Sequence, residues 1–236
     1  MLPALDVFRS NYQEGLCQIA MIKIVTVERE YGCGGGEIAQ RLAEHLGWKL
    51  WDHLLTEEIA RLANCPQTVV AQREERTDPL YYRLFKSFLR GSYEGSINAH
   101  KLNLVDSETI MKMTERVVLH AAGKGNCVIV GRGSQLFLKD RPDTFRVFLY
   151  APREDKVRRL LSRGKTEKEA QERVDTVDRE RAGFIEKYFH VAWPDRAVYH
   201  AMINTAIGDE IVVQTVVNIM KTFDAKVSDS NSTAMV

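Results

Sequence analysis

Ile22-Lys23-Ile24-Val25-Thr26-Val27, followed by Glu28-Arg29-Glu30-Tyr31-Gly32-Cys33-Gly34-Gly35-Gly36-Glu37, decides the fold. The first six residues are rich in β-branched side chains and predict a buried strand. The glycines that follow turn the chain into a helix. Glycine lets successive backbone N–H groups converge on one small anion, and the start of a helix adds the positive end of its dipole. A strand, a glycine loop and a helix in that order are therefore expected to cradle phosphate. The plainer alternative is a tight turn that lets helix pack closely on strand. The phosphate-loop pattern Gly-x-x-x-x-Gly-Lys-[Ser/Thr] is nearly but not fully present. Arg29 stands in the first glycine slot and Gly35 in the lysine slot. Cys33 reads as a small residue suited to a crowded turn, the other reading being a reactive thiol near a helix start.

Outward from this loop, composition sets the bounds. The 236 residues suffice for one sizeable α/β domain, or a domain with a lid, without disulfide staples. Hydrophobic residues at 44% and charged residues at 28% place the chain among globular proteins. A net charge of +1 argues against a broad nucleic-acid-binding surface. Cys17, Cys33, Cys65 and Cys127 lack metal-ligand spacing and read as reduced thiols of a cytoplasmic protein. The six histidines share no zinc spacing, so no metal site is assigned to protein side chains. No apolar run is long enough to span a bilayer, and the first twenty residues lack the pattern of a secretory signal.

Strand and helix signals alternate along the chain, which favours a parallel sheet covered on both faces. Helices are expected over Glu37–Leu46, stopped by Gly47, then through Arg61, over Gln67–Arg76 and from Pro79 past Leu89. Later helices are expected over Ser107–Ala122, Arg153–Arg163, Lys168–Lys187 and Glu210–Met220. Strands are expected at Trp48–Trp51, Cys127–Val130, Phe145–Tyr150 and Met202–Asn204, with Gly91–Asn98 a loop. Residues 1–20 read as an N-terminal extension and 224–236 as a flexible tail of loop composition. The aromatic group around Tyr81–Phe88 reads as core or interface.

Three further features bear on chemistry. Asp52 ends the second strand, at the edge where open parallel sheets gather ligands. It is also placed to cap the helix beginning near His53, and the two roles are compatible. Gly131-Arg132-Gly133 ends the third strand at the same edge, where a planar guanidinium suits a phosphate. Arg153, Arg158, Arg159, Arg163, Lys165, Arg179 and Arg181 form either a solvated charged face, paired with neighbouring acids, or a lid closing over a transferring phosphoryl group.

Several stretches together resemble the cytidylate kinase-like family. They are Arg29-Glu30-Tyr31-Gly32-x-Gly34-Gly35-x-Glu37-Ile38-Ala39, Leu46-Gly47-Trp48 with Asp52, Val128-Ile129-Val130-Gly131-Arg132-Gly133, Val147-Phe148-Leu149-Tyr150-Ala151-Pro152 and Val177-Asp178-Arg179-Glu180-Arg181. The match covers about residues 21–222. It implies a P-loop α/β three-layer sandwich with a five-stranded parallel sheet, a helical NMP-binding region at about 52–106 and a lid at about 153–190. It implies ATP and Mg²⁺, and phosphoryl transfer to a nucleoside monophosphate, CMP or dCMP first. Gly32, Cys33, Gly34, Gly35, Gly36 and Glu37 would hold the donor phosphates, and Asp52 and Arg132 the acceptor. Arg158, Arg159, Arg179 and Arg181 fall where lid arginines are expected, and the position of Arg29 at the loop's entrance makes it the candidate to replace the missing lysine.

Four departures accompany the match. Gly34-Gly35-Gly36-Glu37 replaces the Gly-Lys-Gly-Thr of true cytidylate kinases, His53 follows Asp52 in place of serine, Thr56-Glu57-Glu58 lacks an acceptor arginine, and Gly133 replaces an aspartate. A non-catalytic nucleotide-binding protein and a kinase for another small acceptor are the competing functions. Nucleotides are the expected partners, with neither nucleic acid nor membrane. A homodimer is compatible with the sequence.

Overall fold

The computed structural model describes residues 21–63 and 107–233. The N-terminal extension, the helices expected over Gln67–Arg76 and after Pro79, and the loop Gly91–Asn98 lie outside the described residues. Strand β1 (Ile24–Arg29) leads into helix α1 (Gly35–Leu46), then β2 (Lys49–Trp51) and α2 (His53–Ala63). Helix α3 (Ser107–Lys124), β3 (Cys127–Val130), the single turn α4 (Ser134–Phe137) and β4 (Thr144–Tyr150) follow. Helices α5 (Arg153–Ser162) and α6 (Glu167–Phe189), strand β5 (Ala201–Asn204) and helix α7 (Asp209–Thr233) complete the order.

All five strands run parallel in the order β2-β3-β1-β4-β5, with β1 central between β3 and β4. Being covered on both faces explains why β1 is buried at every position. Val25 and Val27 point to one face, with Ile38 and Leu42 of α1 and Val212, Val213 and Val216 of α7. Ile24 points to the other, with Leu55 of α2, Val118 and Ala121 of α3 and Phe184 of α6. Three layers result. A small third core, Leu160 with Ala170 and Val174, joins α5 to α6. Each fully buried Phe or Leu of these cores is worth about 1.5–3 kcal/mol relative to exposure.

Two boundaries differ from the sequence reading in ways that matter for the site. Strand β1 runs two residues past Val27, so Arg29 is the last residue of a buried strand and not part of the loop. Helix α1 begins at Gly35, two residues early, because Gly34 takes the left-handed conformation and starts the helix without a side chain. The expected loop after Asp224 is corrected as well. Helix α7 continues to Thr233, and the Asp224 carboxylate accepts the Ile22 N–H at 3.0 Å. Among the described residues no helix is long and apolar enough to cross a membrane.

Candidate active site

The C-terminal ends of β1, β2 and β3 bring Arg29, Asp52 and the Gly131–Gly133 turn to one edge, where parallel sheets place their ligands. The glycine loop opens there onto a cleft of about 280 Å³. Gly34, Gly35, Gly36 and Glu37 form one wall, and Arg29, Arg163, Lys165 and Arg181 supply cations to the others. The amides of a first helical turn have no intrahelical acceptor, and no side chain caps those of α1. An anion is the complementary ligand.

Side chains packed against the loop account for the glycines, together with a left-handed φ at Gly32, Gly34 and Gly131. A Cβ on Gly32 would lie 3.2 Å from Cβ of Lys156, and one on Gly34 would lie on the Arg159 guanidinium. A Cβ on Gly35 would come within 2.7 Å of the Arg29 Cβ, and one on Gly131 would fall on the Arg29 guanidinium. The Arg29 side chain therefore spans from the first residue of α1 to the end of β3. Its Nη1 donates to Glu28 Oε1 at 3.4 Å, and Glu28 Oε2 accepts from Gln135 Nε2 at 3.2 Å. Cys33 points away from the cleft into the core, its Sγ donating to the Leu149 carbonyl at 3.5 Å. Burial pushes its thiol up to about 12, which rules out the reactive-thiolate reading at neutral pH.

The loop is held to helices α5 and α6 by carboxylates. Asp178 Oδ1 accepts the Tyr31 N–H at 2.7 Å, and Glu30 Oε2 accepts from Lys156 Nζ at 2.9 Å. Lys156 Nζ also lies 3.5 Å from Asp178 Oδ2. Arg181, buried, donates from Nη1 to the Arg29 carbonyl at 2.8 Å and lies 3.4 Å from Asp178. Burial raises Asp178, opposed by Arg181, the Tyr31 N–H and Lys156. Burial likewise lowers Arg181, helped by Arg29. On α5, Lys156, Arg159 and Leu160 lie at helical spacing toward the loop and its cleft, with Arg163 just past the helix end. Arg163 pairs with Glu37 at 2.6 Å. Arg159 holds Asp209, at the start of α7, through two bonds of 3.1 and 2.8 Å.

At the neighbouring strand end, Arg132 and Asp52 are both buried. Burial pushes Arg132 down to about 9; Asp52 opposes this, and Arg29 and Arg181 add to it. At neutral pH it stays cationic. The guanidiniums of Arg29, Arg132 and Arg181 thus disfavour one another's charge, and the carboxylates of Asp52, Glu28 and Asp178 oppose that repulsion. Gly131, Arg132 and Gly133 all have left-handed φ of 64, 61 and 66°. A Cβ at Gly133 would lie 2.7 Å from the Phe189 ring, which crowds any side chain where the family pattern has an aspartate.

The expected lid arginines divide. Arg181 is in the cleft. Arg158 pairs with Asp155 at 2.8 Å and lines a separate hollow of about 300 Å³ with Arg159, Ser162, Thr205 and Ala206. Arg179 is exposed on α6. Glu30 and Lys156 are the residues that the sequence reading passed over. Asp178 was legible as the acid inside Val177-Asp178-Arg179-Glu180-Arg181, but its contact with Tyr31 spans 147 positions.

Among the described residues no group of three or more His, Cys, Asp or Glu side chains is placed to hold a metal ion. Cytidylate kinases of Shewanella baltica strain OS155 and Shewanella putrefaciens strain CN-32 are each 36% identical over 69 residues, 29% of this chain. The matched stretch spans about 30% of the length of those relatives. An uncharacterized protein from Eubacterium ventriosum has a similar structure, with TM-score 0.62 at 22% identity, over 86% of this chain and 99% of that one. Shikimate kinase from Acinetobacter baumannii, in complex with shikimate, gives TM-score 0.48 at 17% identity, over 85% of this chain and 94% of its own. The family model for the cytidylate kinase-like family matches residues 24–207, and the chain belongs to that family.

Proposed function

We propose that the protein transfers the γ-phosphoryl group of MgATP to a nucleoside monophosphate, with CMP or dCMP the first acceptors to test. The observation that carries this is a glycine loop at a helix start whose cleft is lined by the buried Arg29 and Arg181, with Arg132 buried at the neighbouring strand end. Gly34–Gly36 amides would hold the donor β and γ phosphates. The hollow beside Arg158, Arg159 and Thr205 adjoins the loop and would take the donor base. Arg132 and Asp52 would face the acceptor.

ATP suits this donor set. For Mg²⁺, Gly36 and Glu37 supply no hydroxyl where the family pattern has one. The carboxylates of Glu30 and Glu37 line the cleft instead, and Mg²⁺ is commonly held by one or two carboxylates, phosphate oxygens and water. Bound there, the ion would neutralise charge on the β and γ oxygens. In the transfer, an acceptor phosphate oxygen bonds to the γ phosphorus as its bond to the β–γ bridging oxygen breaks, and ADP leaves with that electron pair. Little covalent help is needed, so positioned cations carry the catalysis.

A binder without turnover is the second reading, favoured by Arg159 resting on Gly34 and by the vacated lysine slot. Incubating the full chain with MgATP and a panel of monophosphates, then resolving products by chromatography, separates the readings. A nucleoside diphosphate formed from CMP or dCMP supports the proposal. Product from a different acceptor moves the specificity, and nucleotide binding with no product across the panel selects the binder.

A further inference from the structure

Cation and glycine have exchanged places in this loop. The lysine slot and the first-glycine slot are six positions apart, yet a Cβ at 35 would lie 2.7 Å from the one at 29. Real Cβ atoms do not approach so closely, so only one of the two positions can carry a side chain. In the usual pattern glycine comes first and the cation second. Here Arg29 comes first, and Gly35 is the residue that yields. Gly131 yields as well, since its Cβ would meet the Arg29 guanidinium.

We infer that Arg29 is the cation of the transferring phosphoryl group, delivered from the end of β1 in place of the lysine that α1 would carry. This rests on the kinase reading and deepens it. The guanidinium stands between the donor loop at Gly35 and the turn that carries Arg132, the acceptor-side arginine. The γ-phosphoryl must pass between those two places. Glu28, itself held by Gln135, is a positioning residue that fixes the direction of the fork. Because arginine presents several donors in one plane, it can bridge β and γ oxygens as a single lysine ammonium does.

The test uses the full chain and four variants, each first checked for folding by thermal melting. Arg29→Met keeps the stem and removes the charge. It is expected to lower kcat about 100- to 1000-fold and to weaken titrated binding of pyrophosphate and MgADP. Gly35→Lys alone is expected to melt lower than the parent, since its side chain meets the Arg29 stem. The exchange variant Arg29→Gly with Gly35→Lys restores the usual order of glycine and cation. It is expected to bind pyrophosphate better than Arg29→Gly alone, a non-additive pair. Unchanged pyrophosphate binding by Arg29→Met, or an exchange variant no better than Arg29→Gly, overturns the assignment while leaving the kinase reading intact. A parent chain that binds neither pyrophosphate nor MgADP overturns both.

Discussion

Arg29 and Cys33 sit four positions apart and face opposite ways, one into the cleft and one into the core. That difference has a measurable consequence. The Cys33 thiol, raised by burial from 9.0 to about 12 and closed off by the Leu149 carbonyl, is expected to resist iodoacetamide at pH 8 in the native chain. Peptide mapping by mass spectrometry should find it unmodified until denaturant is added; an adduct in the native protein would contradict its placement. Since the folded value lies above the unfolded one, the unfolded chain loses its proton first. The stability linked to Cys33 is therefore whole below pH 9.0 and falls as pH rises toward about 12. The slope is at most about 1.4 kcal/mol per pH unit for each such thiol. Cys127, raised to about 11 by burial, adds to the same alkaline loss. The sequence showed that position 35 lacks its lysine and that Arg29 lies nearby. It could not show that the two positions exclude each other, because that depends on a Cβ separation created only when β1 runs on to Arg29.

The turn Gly131–Gly133 and the pair α5–α6 shape the site from either side. Gly133 has both a left-handed φ and a ring against it, whereas Gly164 has a left-handed φ of 83° and open space. Gly133→Ala is expected to cost about 2–4 kcal/mol, backbone strain plus overpacking. Gly164→Ala should cost about 1 kcal/mol, the backbone share alone. Urea denaturation of both checks this; equal losses would remove Phe189 from the explanation. Asp178→Ala takes away the acceptor of the Tyr31 N–H and a partner of Lys156 and Arg181. Leaving those cations buried is expected to cost about 3–5 kcal/mol, read from the same denaturation curves. Strands and long helices were legible from apolar periodicity, which each carries within itself. Helix α4, a single turn of four residues, is too short to show a period. The carboxylate ties of Glu30 and Asp178 were hidden because their partners lie more than a hundred positions away.

Across the chain, the five-stranded parallel sheet was readable from alternating patterns and from the family resemblance. Which arginines gather at its edge was not, since that depends on how α5 and α6 fold back. Those helices bring Arg159, Arg163 and Arg181 to the loop and leave Arg158 and Arg179 beside or outside the cleft. The central claim is that loop amides and Arg29 together grip a polyphosphate. Its most direct test is a crystal structure of the full chain with a non-hydrolysable ATP analogue and magnesium. The β and γ phosphates should lie on the Gly34–Gly36 amides with the Arg29 guanidinium against them. A cleft without phosphate density, or phosphates bound out of reach of the Arg29 guanidinium, would contradict the account.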